Sequence, residues 1–87
     1  MNFELRQRGI VLTRKKAGFS YFNYYQIDSV NVEQEVYYEH FDGLPQYRDN
    51  YIVWVKFSTE ERSICLFKSK YENDCIDVAD KILERIL

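Results

Sequence analysis

Apolar and polar residues alternate along the first two thirds of this chain, and then the period changes. Phe3 and Leu5 alternate with Glu4 and Arg6, and Arg8-Gly9 supplies a turn signal. Residues 10–15 begin β-branched and end at Ala17-Gly18, and residues 19–25 follow as an aromatic run. From Val30 the even positions read Val30, Val32, Gln34, Val36, Tyr38, and the odd positions read Asn31, Glu33, Glu35, Tyr37, Glu39. That alternation predicts a strand of about ten residues with one face inside and an acidic face in water. Residues 40–50 carry the only proline, Pro45, and read as the longest loop. Residues 51–57 form a nearly continuous apolar strand containing Trp54, residues 58–61 turn the chain, and residues 62–67 return as the last strand.

The period becomes helical after that. Ser69-Lys70-Tyr71-Glu72 has the S-x-x-E spacing of a capping box, in which the Ser hydroxyl and the Glu carboxylate each satisfy a backbone N–H. Tyr71, Cys75, Val78, Ala79, Ile82, Leu83 and Ile86 then form one apolar stripe, predicting a helix over 70–87. Such a stripe needs an apolar surface, which only the upstream strands can offer. The expected architecture is one α+β domain over residues 1–87. About six antiparallel strands form a curved sheet or partial barrel, with the C-terminal helix packed on it. The expected core is Leu5, Ile10, Leu12, Val30, Val32, Val36, Val53, Val55, Ile64, Leu66, Val78, Ala79, Ile82, Leu83 and Ile86.

Composition narrows the function. Eight Tyr, six Phe and one Trp in 87 residues suit a small core, and equally a binding surface. The net charge is −2, which argues against a protein that chiefly grips the nucleic-acid backbone. The charge is segregated: residues 1–20 carry five cations against Glu4, and residues 28–50 carry six acids against Arg48. No apolar run is long enough to span a bilayer, and the N-terminus lacks the pattern of a signal peptide. Cys65 and Cys75 make neither a disulfide framework nor a C-x-x-C motif. A cytoplasmic protein whose cysteines act as small apolar residues is expected.

The stretch Gly9-Ile10-Val11-Leu12-Thr13, an aromatic strand, and then Tyr25-x-Ile27-x-Ser29-Val30-x-Val32 resembles the front half of bacterial PH-like domains. The strand pair 51–57 and 62–67, followed by an amphipathic helix, is similar in order. The resemblance implies seven strands in two near-orthogonal sheets with the helix at one end, where six strands are counted here. It also implies a scaffold for binding and assembly rather than for catalysis.

No catalytic constellation emerges. His40 is the only histidine, with Asp42 nearby but no nucleophile motif around it. Glu39, His40, Asp42 and Asp49 match neither zinc nor EF-hand spacing, so no metal or cofactor is expected. The pairs Glu33/Glu35 and Glu60/Glu61 lack an apolar pocket and read as solvated faces. The three glycines are isolated, so there is no phosphate-cradling loop. Two binding readings remain. The first is a non-enzymatic module binding a protein partner with a basic surface, as an adaptor or inhibitor, through Glu33, Glu35, Tyr37, Glu39, Phe41, Leu44 and Tyr47. The second is a binder of phosphate groups, on an anionic lipid or single-stranded nucleic acid, through Arg6, Arg8, Arg14, Lys15 and Lys16, with the neighbouring aromatic residues as a stacking platform. Open strand edges also lead to the expectation of a homodimer.

Overall fold

β1 (Asn2–Leu5), β2 (Gly9–Arg14) and β3 (Gly18–Asn23) form an antiparallel meander in the computed structural model. The structure describes residues 2–14, 16, 18–41 and 43–87, with side chains at all of these except 37–41 and 44–48. Gly18, at φ +73°, takes the left-handed conformation where the β2–β3 turn feeds β3. Gly9 is needed for a different reason: a Cβ there would lie 2.2 Å from the Phe22 carbonyl oxygen and 2.9 Å from the Tyr21 ring. A one-turn 3-10 helix, Tyr24–Gln26, then turns the chain into a second sheet. Gln26 Oε1 accepts the Asn23 N–H at 2.8 Å, and Ser58 N–H donates to the Gln26 carbonyl at 2.7 Å, fixing that corner.

The second sheet is β4 (Ile27–Phe41), β5 (Leu44–Phe57) and β6 (Ile64–Ser69), in that spatial order and antiparallel. The six strands thus fall into two three-stranded sheets rather than one curved sheet, and they do not close into a barrel. β4 and β5 form one long hairpin that pairs from Ile27 and Phe57 out to Phe41 and Leu44. The expected loop over 40–50 is therefore the end of this hairpin. The ladder runs out to Phe41 and Leu44, and Gly43, at φ +76°, takes the positive φ that tight hairpin turns use. Pro45 is tolerated because β6 pairs with β5 only from Tyr51 to Val55, leaving the outer part of β5 without a second neighbour.

The core lies between the sheets and under α1 (Glu72–Ile86). Ile10, Leu12, Val53, Val55, Phe57, Cys75 and Ile82 are fully buried. Phe22 stacks on Phe57 with ring centroids 4.0 Å apart and joins the sheets through the core. At the open margin, Phe3 meets Phe67 edge-on at 6.3 Å. The apolar seam of α1 is narrower than the stripe: Cys75, Ala79 and Ile82 are buried, whereas Tyr71, Leu83 and Ile86 are exposed. Small residues at 75 and 79 let the helix approach the sheet closely, so a single seam reaches it. Val36 is also exposed, since β4 has by then passed beyond the other elements. Val11, Phe22, Tyr24, Ile52, Phe57 and Cys75 are buried beyond the expected core.

The capping box does not form. Ser69 belongs to the β6 ladder opposite Tyr51, so the helix starts later, with Tyr71 as N-cap. The Ser69 hydroxyl accepts the Tyr71 N–H at 3.1 Å and donates to Asp74 Oδ2 at 3.0 Å. At the other end, Tyr24 Oη donates to the Arg6 carbonyl at 2.5 Å, and Arg85 Nη1 donates to the same oxygen at 3.2 Å. This carbonyl ties the β1–β2 turn to the corner and to the last turn of α1.

Two outcomes are expected. Ile82→Ala costs about 2–5 kcal/mol in urea unfolding, while Leu83→Ala costs under ~1 kcal/mol, because only the first removes buried methyl groups. Burial pushes the Tyr24 hydroxyl above its ordinary value of 10.0, with the Arg85 guanidinium partly opposing the rise. A raised pKa in the folded state means that the unfolded chain loses this proton first. The Tyr24 contribution is therefore complete below pH ~10 and is lost as pH rises through the folded value. Stability measured from pH 8 to 11 should fall at the alkaline end less steeply in Tyr24→Phe than in the parent.

Candidate functional site

The β4–β5 register sorts the sequence-derived candidates by face. Asn31 lies opposite Trp54, Glu33 opposite Ile52, Glu35 opposite Asn50 and Tyr37 opposite Arg48. Glu39 lies opposite Gln46 and Phe41 opposite Leu44. By register, positions 33, 35, 37, 39, 41 and 44 fall on one side of the hairpin ladder, the side on which Glu33 lies exposed, while position 47, opposite 38, falls on the other. A row from Asn31 to Phe41 extends about 33 Å at the usual rise of a strand. The side chains of Tyr37, Glu39, Phe41, Leu44 and Tyr47 lie outside the described residues, as does that of His40.

The end of the hairpin stands away from the body. No third strand pairs with β5 beyond Tyr51, and none pairs with the free side of β4 among the described residues. The molecule measures 49 × 29 × 21 Å, with a radius of gyration of 14.9 Å, against about 12 Å for a compact chain of this length. Its surface is 6517 Å², against about 5,500 Å² for a compact protein of this mass. The excess is what a two-stranded ribbon leaves in solvent.

Nearer the body, the same face carries Trp54, which sequence reasoning placed only within an apolar strand. Lys56, two residues on, is the sequence signal that even positions of β5 face outward. Trp54, half-buried, lines a shallow hollow of about 480 Å³ with Asn31, Val32, Glu33 and Ser63. Lys68 pairs with Glu35 at 3.3 Å, and Lys56 approaches Asp28 at 3.9 Å. Ile52, on this face and outside the main core, is only 4% exposed.

The basic candidates are not gathered. Arg6 and Arg8 sit in the β1–β2 turn, whereas Arg14 and Lys16 sit at the β2–β3 turn, at the other end of β2. Arg6 pairs with Glu4 at 3.3 Å. Arg14 borders a hollow of about 370 Å³ shared with Glu60, Glu61 and Arg62, where the acids offset the cations. Lys15 lies outside the described residues. Of the neighbouring aromatics, Phe19, Tyr21 and Tyr25 are exposed, while Phe22 and Tyr24 belong to the core.

Among the described residues no group of three His, Cys, Asp or Glu could hold a metal ion, and no helix is long and apolar enough to cross a membrane. Glu39, His40 and Asp42, three of the four residues weighed as metal ligands, fall outside that description. Both cysteines are free; Cys75 is fully buried, and burial pushes its thiol up. No family model, curated protein or solved structure matches the chain.

The ribbon's separation from the core has a measurable consequence. Replacing residues 38–47 by Asn-Gly, which closes the hairpin on the Tyr37–Arg48 pair, should change the free energy of urea unfolding by no more than about 1 kcal/mol. Loss of cooperative unfolding in this variant would show that the ribbon belongs to the folded body.

Proposed function

We propose that the chain is a non-enzymatic protein-interaction module that binds a partner with a basic surface along the outer face of β4–β5. One observation carries the reading. A single continuous face joins the Trp54 hollow to the acidic row and to the end of a hairpin that nothing else in the described fold covers. An isolated two-stranded ribbon gains little stability in water. A ribbon that long makes sense when a second surface completes it. The scaffold is read as PH-like, supported by the strand order and the terminal helix, and its role here is to hold this face rigidly.

The anionic-ligand reading has weaker support. Its cations lie at two ends of a strand, and part of their charge is offset by Glu4, Glu60 and Glu61. Backbone phosphates are gripped by several cations acting together.

Photo-crosslinking in the host cell separates the two. With p-benzoylphenylalanine at position 35 or 37, a discrete protein adduct is expected; at position 8 or 16, none. Adducts confined to positions 8 and 16, or adducts to nucleic acid there, would reverse the choice.

A further inference from the structure

The hollow at Trp54 has a chemistry of its own. Among its wall residues Glu33 alone is charged, and it has no ion-pair partner among the described residues, unlike Glu35 and Asp28 on the same sheet. Asn31 and Ser63 add an amide and a hydroxyl oxygen, so the polar wall can offer three acceptor groups. The aromatic wall is Trp54, whose Nε1 is buried without a hydrogen-bond partner among the described residues. An indole on the outer face of a sheet can ordinarily turn its N–H to water. Here the N–H is buried, with no acceptor among the described residues, while the ring lines the hollow.

A carboxylate, two neutral acceptors and an indole together fit one kind of group. It must be cationic to answer Glu33, planar to lie on the ring, and rich in N–H donors to use the remaining acceptors. We propose that the hollow receives an arginine side chain of the protein partner, its guanidinium on Trp54 and paired with Glu33. Guanidinium is weakly hydrated, stacks on aromatic faces and carries five donors in a fixed plane. Lysine offers the charge without the plane, and a neutral side chain would leave Glu33 unanswered. The volume, about 480 Å³, lies within the range of sites that take small groups. The inference rests on the outer face of β4–β5 being the partner surface, and it names what that surface recognises.

The test uses the full chain, labelled with nitrogen-15, and two peptides: acetyl-Ala-Arg-Ala-amide and its citrulline counterpart, which keeps the shape and removes the charge. Saturable shifts at the Asn31, Glu33 and Ser63 amides and the Trp54 indole are expected with the arginine peptide. The citrulline peptide should bind about tenfold more weakly. Glu33→Gln should weaken the arginine peptide by up to about fivefold, the range of a partly exposed ion pair, without lowering Tm. Trp54→Phe should also weaken it while leaving Tm unchanged or raised, since it removes the orphaned N–H; a merely structural tryptophan would lose stability instead. No saturable shift, equal shifts with citrulline, or binding indifferent to Glu33→Gln would overturn the assignment. If crosslinks form at position 35 or 37 and the arginine peptide fails, only the arginine assignment falls. If crosslinks form only at 8 and 16, the partner surface itself falls.

Discussion

Burial of Val53, Val55 and Phe57 along one side of β5 is the constraint on which the other contacts depend. These three residues are completely enclosed, yet β5 has only two strand neighbours, and the sheet beneath it is three strands wide. Enclosure has to come from elsewhere. Phe22 of the first sheet supplies it by stacking on Phe57, and Cys75, Ala79 and Ile82 supply it from α1. The corner at Tyr24–Gln26 and the shared Arg6 carbonyl then hold the first sheet and the helix end in register with that packing. A chain of 87 residues buries only about 60–65% of its unfolded surface. Few side chains are therefore available for this, and most of the large ones near β5 are taken.

Once one side of β5 is committed, the alternation of the strand commits the other. Ile52, Trp54 and Lys56 must face outward, and the register carries Asn31, Glu33 and Glu35 to the same side. The distinction between the core face and the outer face is thus set by a single parity along two strands. A shift of one residue would exchange them. The hairpin then runs on past the point where β6 and α1 can cover it, which turns Val36 from a core position into an exposed one.

Much of this was legible. The turns at Gly9 and Gly18, the apolar strand through Val53 and Val55, the last strand and the terminal helix follow from period and punctuation. The hairpin end was harder to read. Asp42-Gly43 between alternating residues is itself a hairpin signal, but Pro45 beside it argued for a loop. A proline breaks a strand only where its missing N–H is needed, and sequence does not say which strand will be left at a margin. The capping box at Ser69 failed for a similar reason, because pairing with Tyr51 holds that residue in β6. Leu83 and Ile86 have the right helical spacing, but spacing does not tell how wide a surface the helix will meet. Trp54 is the main omission at the site. Its surroundings depend on which residues stand across the ladder: Asn31 comes from a strand 23 residues earlier, and Ser63 from the turn that precedes β6.

The most direct measurement is amide hydrogen exchange of the chain with and without the partner obtained by crosslinking. Added protection is expected across residues 31–41 and at Trp54, with the turns containing Arg6, Arg8, Arg14 and Lys16 unchanged. Protection gained at those turns, with none along residues 31–41, would contradict the account.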